Sequence, residues 1–439
     1  MLDGVGGIAA QDSRRALILS TVAFTVCFAV WTIFSIIGLQ IKENLKLSDS
    51  EFGLLVGTPI LTGSLIRLFL GIWTDQYGGR IVYTLVMLAA AAATYLLTWA
   101  STYIEFLLAA LGVGIAGGSF AVGIAYVSKW YGKERQGTAL GIFGMGNVGA
   151  AVTKFAAPFV MVAYGWEVVA QLWAAAIALM AVIFYLASKD DPSLARRRAE
   201  HRKPEPFLSQ LAPLKNLQVW RFSLYYFFVF GAFVALALWL PRYYIGVYGL
   251  DIQTAGMLGA AYSIPASIFR AVGGALSDRY GARRVMYWTF IVSVICTFLL
   301  SYPATTYVVQ GIEGPIQFTF AIDVVTFTVL TFVLGFFMSL GKAAVYKHIP
   351  VYYPRHVGSV GGVVGLIGGL GGFVLPIAFG LMNDFIGVWT SCFMLLFGLV
   401  AIALTWMHFA IRRMEEKEHP GLEKARDLPE LSALGKPAA

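Results

Sequence analysis

Four basic residues stand where a basic residue is costly. Arg67 interrupts GSLIRLFLGIW (63–73) and Arg270 interrupts PASIFRAVGGAL (265–276). Lys154 lies within AAVTKFAAP (150–158) and Lys342 within MSLGKAAVY (338–346). In a membrane helix a central arginine costs about 2.5–3.5 kcal/mol on insertion scales, so something must hold it. No acid does so from within these runs. Glu105, Glu167, Asp323 and Asp384 fall at run ends, and His201, His348, His356, His408 and His419 fall at run ends or in connections. The missing partner is then most simply a bound anion. A guanidinium keeps its proton and offers a planar fork of N–H donors, which suits a planar oxyanion. This is the chemistry of anion recognition. An enzyme would need an acid–base pair or a metal cluster in the same runs, and none is there, so no cofactor and no metal are expected.

The elements that must position these residues are apolar and long. The chain has 439 residues, of which 58% are hydrophobic and 13% charged, with a mean hydropathy of +0.73. A soluble domain carries about 25% charged residues, so this composition is that of an all-α polytopic membrane protein. A bilayer core needs about 20 apolar residues per helix. Twelve runs qualify: 16–40, 53–73, 81–100, 105–128, 137–161, 168–188, 221–246, 255–276, 285–302, 322–346, 357–382 and 388–410. The basic stretch 189–220 parts them six and six, giving halves at 1–188 and 221–411, and a polar tail follows from 412 to 439. The other connections read as short. The basic amino-terminal segment runs into more than twenty apolar residues, which reads as a first span and not a cleaved signal. Cys27, Cys296 and Cys392 all lie in apolar runs and read as small hydrophobes.

Charge placement sets orientation. Of the 32 lysines and arginines, Lys42, Lys46 and Arg242 fall on one side, four lie within spans, and the remainder fall on the other side. Both termini and the central stretch are therefore expected to be cytoplasmic. The formal charge of +8 is a topology signal, which removes nucleic acid as a partner.

The halves repeat. RLFLGIWTDQYGGR starts at Arg67 and RAVGGALSDRYGARR starts at Arg270. Arg67, Gly71, Asp75 and Gly78 match Arg270, Gly274, Asp278 and Gly281 in spacing. Two such arginines at one depth should approach each other across a pseudo-twofold axis. Gly71 and Gly274 would let helices pack closely, Asp75 and Asp278 would cap the next helix or pair with a loop cation, and Gly78 would allow a tight turn. A second pair of stretches is glycine-rich. GIFGMGNVGAAVTKFAAP (141–158) holds Gly144, Gly146 and Gly149 around Asn147, and GSVGGVVGLIGGLGGFVLP (358–376) holds Gly365 and Gly369. Dense glycine lets membrane helices touch and slide, so both stretches read as packing and gating surfaces. Asn147 and Lys154 are seven residues apart and share a helix face.

GIWTDQYGGR and its echo GALSDRYGAR resemble the cytoplasmic loop signature of the major facilitator superfamily. With arginines in spans two and eight and glycine-rich spans five and eleven, the chain resembles the nitrate/nitrite porter family within it. The resemblance covers essentially all twelve spans. It implies the major facilitator fold, twelve transmembrane helices in two six-helix pseudo-symmetric halves. It also implies transport of nitrate and nitrite across the bacterial inner membrane. On this pattern Arg67 and Arg270 grip the anion and Asn147 donates to it. Phe120, in GGSFAVGIAYVSKWY, and Phe230, in LYYFFVFGAF, sandwich it, with Tyr226 one turn before Phe230. Core packing is the competing reading for the span-seven aromatics. The chain departs from some members in span eleven, where glycines stand at the centre and no asparagine is present.

Two modes of coupling stay open. Arginine cannot carry the proton and no acid is buried, which favours nitrate/nitrite antiport. A desolvated lysine can exchange a proton. Lys154 is the candidate that would make the chain a proton-coupled nitrate symporter, while Lys342 sits near a span end and either joins it or snorkels to the surface. Another small oxyanion or organic anion is the alternative cargo. A non-transporting anion sensor is the alternative of another class, and the central stretch is small for an output domain. The chain is expected to work as a monomer in the lipid bilayer.

Overall fold

The computed structural model describes residues 10–190, 194, 215–352 and 357–418. Ten helical segments among the described residues are long and apolar enough to cross a membrane, from Ala10–Leu45 to Ser391–Arg413. Two further spans are interrupted. Span two is Asp49–Leu65 followed by Arg67–Tyr77, and span eight is Ile252–Ser263, Pro265–Ile268 and Arg270–Tyr280. These are the spans that carry the two arginines.

Burial repeats across the halves as the sequence repeat requires. The first span (Ala10–Leu45) and the seventh (Leu217–Tyr248) are 83% and 89% buried in their most apolar windows. The sixth (Trp166–Ala187) and twelfth (Ser391–Arg413) are only 39% and 28% buried. Central spans thus face protein, and peripheral spans turn large apolar residues such as Leu179, Val182, Ile402 and Phe409 outward. That outward apolar surface is what a lipid-facing rim requires.

Polar caps start spans two, four, eight and ten on the face opposite the termini. Ser48 and Glu51 form a reciprocal capping box, as do Thr102 and Glu105. Asp251 accepts from the Thr254 N–H, and Asp323 accepts from those of Val325 and Thr326. Each satisfies amides that a helix start leaves unpaired. On the other face, Gly78 and Gly281 take φ of 91° and 86°, which gives the tight turns their place in the repeat demands.

Several expectations change. The connection after span nine is a β-hairpin, β1 (Thr305–Gly311) paired antiparallel with β2 (Gly314–Phe320). Its strictly alternating register puts Tyr307, Val309, Ile316, Phe318 and Phe320 on one face, where only a short connection between 302 and 322 was expected. The twelfth helix continues to Glu418, past the point where a polar tail was expected, and 419–439 lies outside the described residues. So does most of 189–220, together with His201, His356 and His419. Span seven begins at Leu217, capped by Asn216.

The face opposite the termini is closed between the halves by polar contacts. Asp49, at the start of span two, takes Lys42 Nζ at 3.0 Å and the Arg242 guanidinium at 3.2 Å. Its second oxygen accepts from Asn383 Nδ2 at 3.0 Å. Asp384 in turn accepts from the backbone amides of Asp49 and Ser50, at 3.1 and 2.8 Å. Beside this cluster lies a cavity of about 600 Å³ lined by Gln40, Lys42, Glu43, Met161, Arg242 and Ile252, among others. Sequence reading missed the cluster because its members are up to 335 residues apart.

Candidate functional site

The site is assembled where five spans lose regular helix geometry. Span two breaks at Ile66, immediately before Arg67, and span eight at Phe269, immediately before Arg270. Span four tightens to a 3₁₀ turn at Gly114–Gly118, just before Phe120, and span five does so at Met145–Val148, around Asn147. Span seven widens to a π-helical turn over Phe227–Ala232, which holds Phe230. Irregular backbone is tolerated at membrane depth only where protein or a polar cavity surrounds it, and π-turns mark functional sites more often than chance.

All six residues assigned to anion binding are buried: Arg67, Phe120, Asn147, Tyr226, Phe230 and Arg270. The Arg67 guanidinium lies 5.1 Å from the Phe120 ring centre, 5.7 Å from Phe230 and 5.4 Å from Trp31. The Arg270 guanidinium lies 5.7 Å from the same Phe120 ring and 5.8 Å from Tyr346. One phenyl ring therefore borders both cations. Tyr226 stacks on Phe230 at 5.1 Å with only 7° between the ring planes, and meets Tyr346 edge-on at 5.0 Å. The widened turn begins directly after Tyr226 and holds Phe230, so it lies between the two stacked rings.

The cations are held only loosely by protein. Arg67 donates to the carbonyls of Gly117 and Gly365, both at a long 3.4 Å. Arg270 Nη1 is buried with no partner. Both side-chain atoms of the Asn147 amide and the Ser64 hydroxyl are likewise buried and unpaired. Leaving a buried donor unpaired costs about 1–3 kcal/mol, more for a charged one. Arg270 Nη1 itself and the Ser64 hydroxyl, which borders Gly369 together with Arg67, are unpaired donors at the guanidiniums, with no carboxylate at the site among the described residues, and they describe a place for an anion.

The glycines divide by role. A Cβ at Gly144 would lie 3.0 Å from Arg270 Nε, so this glycine makes room for the guanidinium. A Cβ at Gly369 would collide with the Ser64 hydroxyl and come within 3.4 Å of Arg67 Nη1, and one at Gly365 would lie 2.9 Å from Tyr346 Oη. Gly146 and Gly149 instead pack on the first span, against Phe24 and the Thr25 carbonyl. Gly71 and Gly274 pack on nothing within 4 Å, contrary to the close packing expected of them. Asp278 pairs with Lys347 of span ten and does not cap the following helix. The side chain of Asp75 lies outside the described set.

The lysines also separate. Lys154 Nζ donates to Ser263 Oγ at 2.7 Å, joining span five to span eight across the halves. Ser263 is seven residues before Arg270, about 10 Å of rise toward the far face. Lys342 does not snorkel: it is fully buried, donates to the Ala266 carbonyl at 2.8 Å and sits 3.1 Å above the Phe233 ring. Of the two, Lys342 bonds nearer Arg270 along span eight, at Ala266, and Lys154 farther from it, at Ser263. Sequence reading missed Trp31, Ser64, Phe233, Ser263 and Tyr346. Only Tyr346 carried a local signal, four residues after Lys342 on the same helix face.

A family model described as the Major Facilitator Superfamily matches residues 19–322 and 248–438. A probable nitrate/nitrite antiporter, NarK1, of Thermus thermophilus is 44% identical over 432 residues, covering 95% of this chain and 96% of that protein. A nitrite extrusion protein of Bacillus subtilis (strain 168) is 29% identical, covering 92% and 96%. A probable nitrate transporter, NarT, of Staphylococcus epidermidis is 27% identical, covering 89% and 95%. In three dimensions the chain is similar to a bacterial homolog of the human lysosomal transporter Spinster in an inward-facing conformation, with TM-score 0.68 and 17% identity over 92% of this chain and 98% of that one. It is equally similar to the nucleoside transporter NupG, with TM-score 0.68 and 14% identity over 90% and 99%. With paired arginines in equivalent broken spans and relatives aligned along nearly the whole chain, this protein belongs to the major facilitator superfamily and, within it, to the nitrate/nitrite porters.

Proposed function

We propose that the chain carries nitrate and nitrite across the bacterial inner membrane by alternating access, the anion binding between Arg67 and Arg270. The observation that carries this is the buried, unpaired Arg270 Nη1, with the Asn147 amide also unpaired on a turn that packs against Pro265–Ile268, and no carboxylate to neutralise the cations among the described residues. A planar monovalent oxyanion supplies in-plane acceptors to the guanidinium forks and two flat faces to Phe120 and Phe230. Phosphate or a dicarboxylate would call for more donors.

Exchange is the mode that the site chemistry favours. Arginine stays protonated, so Arg67 and Arg270 bind the anion without releasing a proton. Two like charges facing an empty site oppose closure, and an anion relieves that repulsion. Each anion then resets the carrier for the other. Residues 1–188 and 221–411 act as the two rocking halves, 189–220 links them, and one chain suffices. The bias of basic residues puts both termini in the cytoplasm.

Proton-coupled symport is a second reading, which Lys154 favours: its Nζ bridges the halves with a serine, and no acid is its partner among the described residues, a setting that suits the neutral amine before the anion arrives. Lys154 then takes up a proton as the anion enters and gives it up on release. The test is nitrate counterflow in proteoliposomes, with and without internal nitrite and under a pH step. Counterflow that needs internal nitrite establishes exchange. Uptake driven by the pH step alone, lost in Lys154→Gln, establishes symport. Failure of nitrate and nitrite, with transport of chlorate, formate or phosphate, overturns the choice of cargo.

A further inference from the structure

We infer that Lys342 is a positioning residue of the anion site, its third cation, acting by fixing the broken turn that carries Arg270. An unbroken helix would give the carbonyl of Ala266 to the amide of Arg270, four residues on. Span eight is interrupted at Phe269, and at this break the Lys342 ammonium, reaching in from span ten, donates to that carbonyl at 2.8 Å. The ammonium thus does for the turn what a main-chain amide does in regular helix. It ties Arg270 to span ten.

The surroundings of Lys342 extend this role to the anion. The ammonium lies 3.1 Å from the Phe233 ring centre and 5.9 Å from Phe230, whose ring also borders Arg67 at 5.7 Å. Two phenyl rings are therefore flanked by three cations: Phe120 by Arg67 and Arg270, and Phe230 by Arg67 and Lys342. The aromatic faces offset part of the cost of burying an ammonium with no acid beside it. The rest is offset when an anion enters, and a positive field built before binding strengthens the grip on every anion that arrives. This inference rests on the anion-binding reading above.

The experiment measures nitrate counterflow and nitrate-induced thermal stabilisation in wild type, Lys342→Gln, Lys342→Met, Arg270→Lys and the double variants. Lys342→Gln keeps an N–H for the Ala266 carbonyl and removes the charge, whereas Lys342→Met removes both. The expected result is a KM for nitrate raised about threefold to fivefold in Lys342→Gln and about tenfold or more in Lys342→Met, with a smaller fall in kcat. If Lys342 works through Arg270, its loss adds little once Arg270 is replaced by lysine, so the double variants are non-additive. An unchanged KM in both single variants, or effects that simply multiply in the doubles, overturns the inference. Should Lys342→Met fail to insert, Lys342→Gln carries the same comparison. A wild type without nitrate counterflow overturns the anion reading itself, while an active wild type with indifferent Lys342 variants overturns only this assignment.

Discussion

At the scale of single residues, the proposed anion site rests on two guanidiniums and one amide. The apolar setting of Arg67 and Arg270 made them legible in sequence, because a cation in a membrane helix is costly unless it has a function. Lysine keeps the charge and loses the fork, so Arg67→Lys and Arg270→Lys should each lower nitrate counterflow at least tenfold, about 1.4 kcal/mol, with normal insertion. Full activity in either would rule out two-point recognition. Gly144 offers a gentler probe. Its added methyl would meet Arg270 Nε at 3.0 Å. Gly144→Ala should therefore raise the KM for nitrate about threefold while thermal stability holds, and Gly274→Ala, which meets nothing within 4 Å, should leave nitrate affinity where it is. Lys342 shows the limit of residue-level reading. Its position near a span end left coupling and snorkelling both open, and only the break in span eight reveals the carbonyl it serves.

Elements position the site by departing from regular geometry. Spans two and eight break before their arginines, spans four and five tighten, and span seven widens. Glycine density announced flexible helices in spans five and eleven. It did not say where the backbone would break, because a break is set by which neighbouring group takes the freed carbonyl. The glycines that pack backbone on backbone are more predictable. Gly149 meets the Thr25 carbonyl so closely that a Cβ has no room. Overpacking of this kind costs about 1–3 kcal/mol, so Gly149→Ala should lower the melting temperature in detergent by several degrees, independently of nitrate. An unchanged melting temperature would show that the first and fifth spans can part without penalty. The β-hairpin after span nine escaped sequence reading for a related reason. Its alternation is short and apolar on one face, and it abuts a span of the same character.

For the whole molecule, function requires the halves to part on one face while they close on the other. Here the face opposite the termini is closed by Asp49, which the carboxy-terminal half holds through Arg242 and Asn383. Lys42 lies on the same half as Asp49, so opening breaks the contacts to Arg242, Asn383 and Asp384 and leaves the Lys42 pair intact. Asp49→Asn should weaken this closure. A cysteine introduced in place of Gln40, in the adjoining cavity, should then react several-fold faster with a membrane-impermeant maleimide added on that face. Equal rates with and without the Asp49→Asn change would show that packing alone holds the face shut, and reaction only from the cytoplasmic side would reverse the orientation. By itself the sequence determined the twelve apolar spans, their six-and-six repeat, the two arginines and the absence of a buried acid at their depth. Those follow from composition, spacing and the cost of charge in an apolar run, all of which are local properties of the chain. Only the tertiary structure decided what surrounds the arginines, where the backbone yields to admit them, and which carboxylate closes the face opposite the termini. Each of those depends on groups far apart in the chain that meet through helix packing, and no local pattern encodes that meeting.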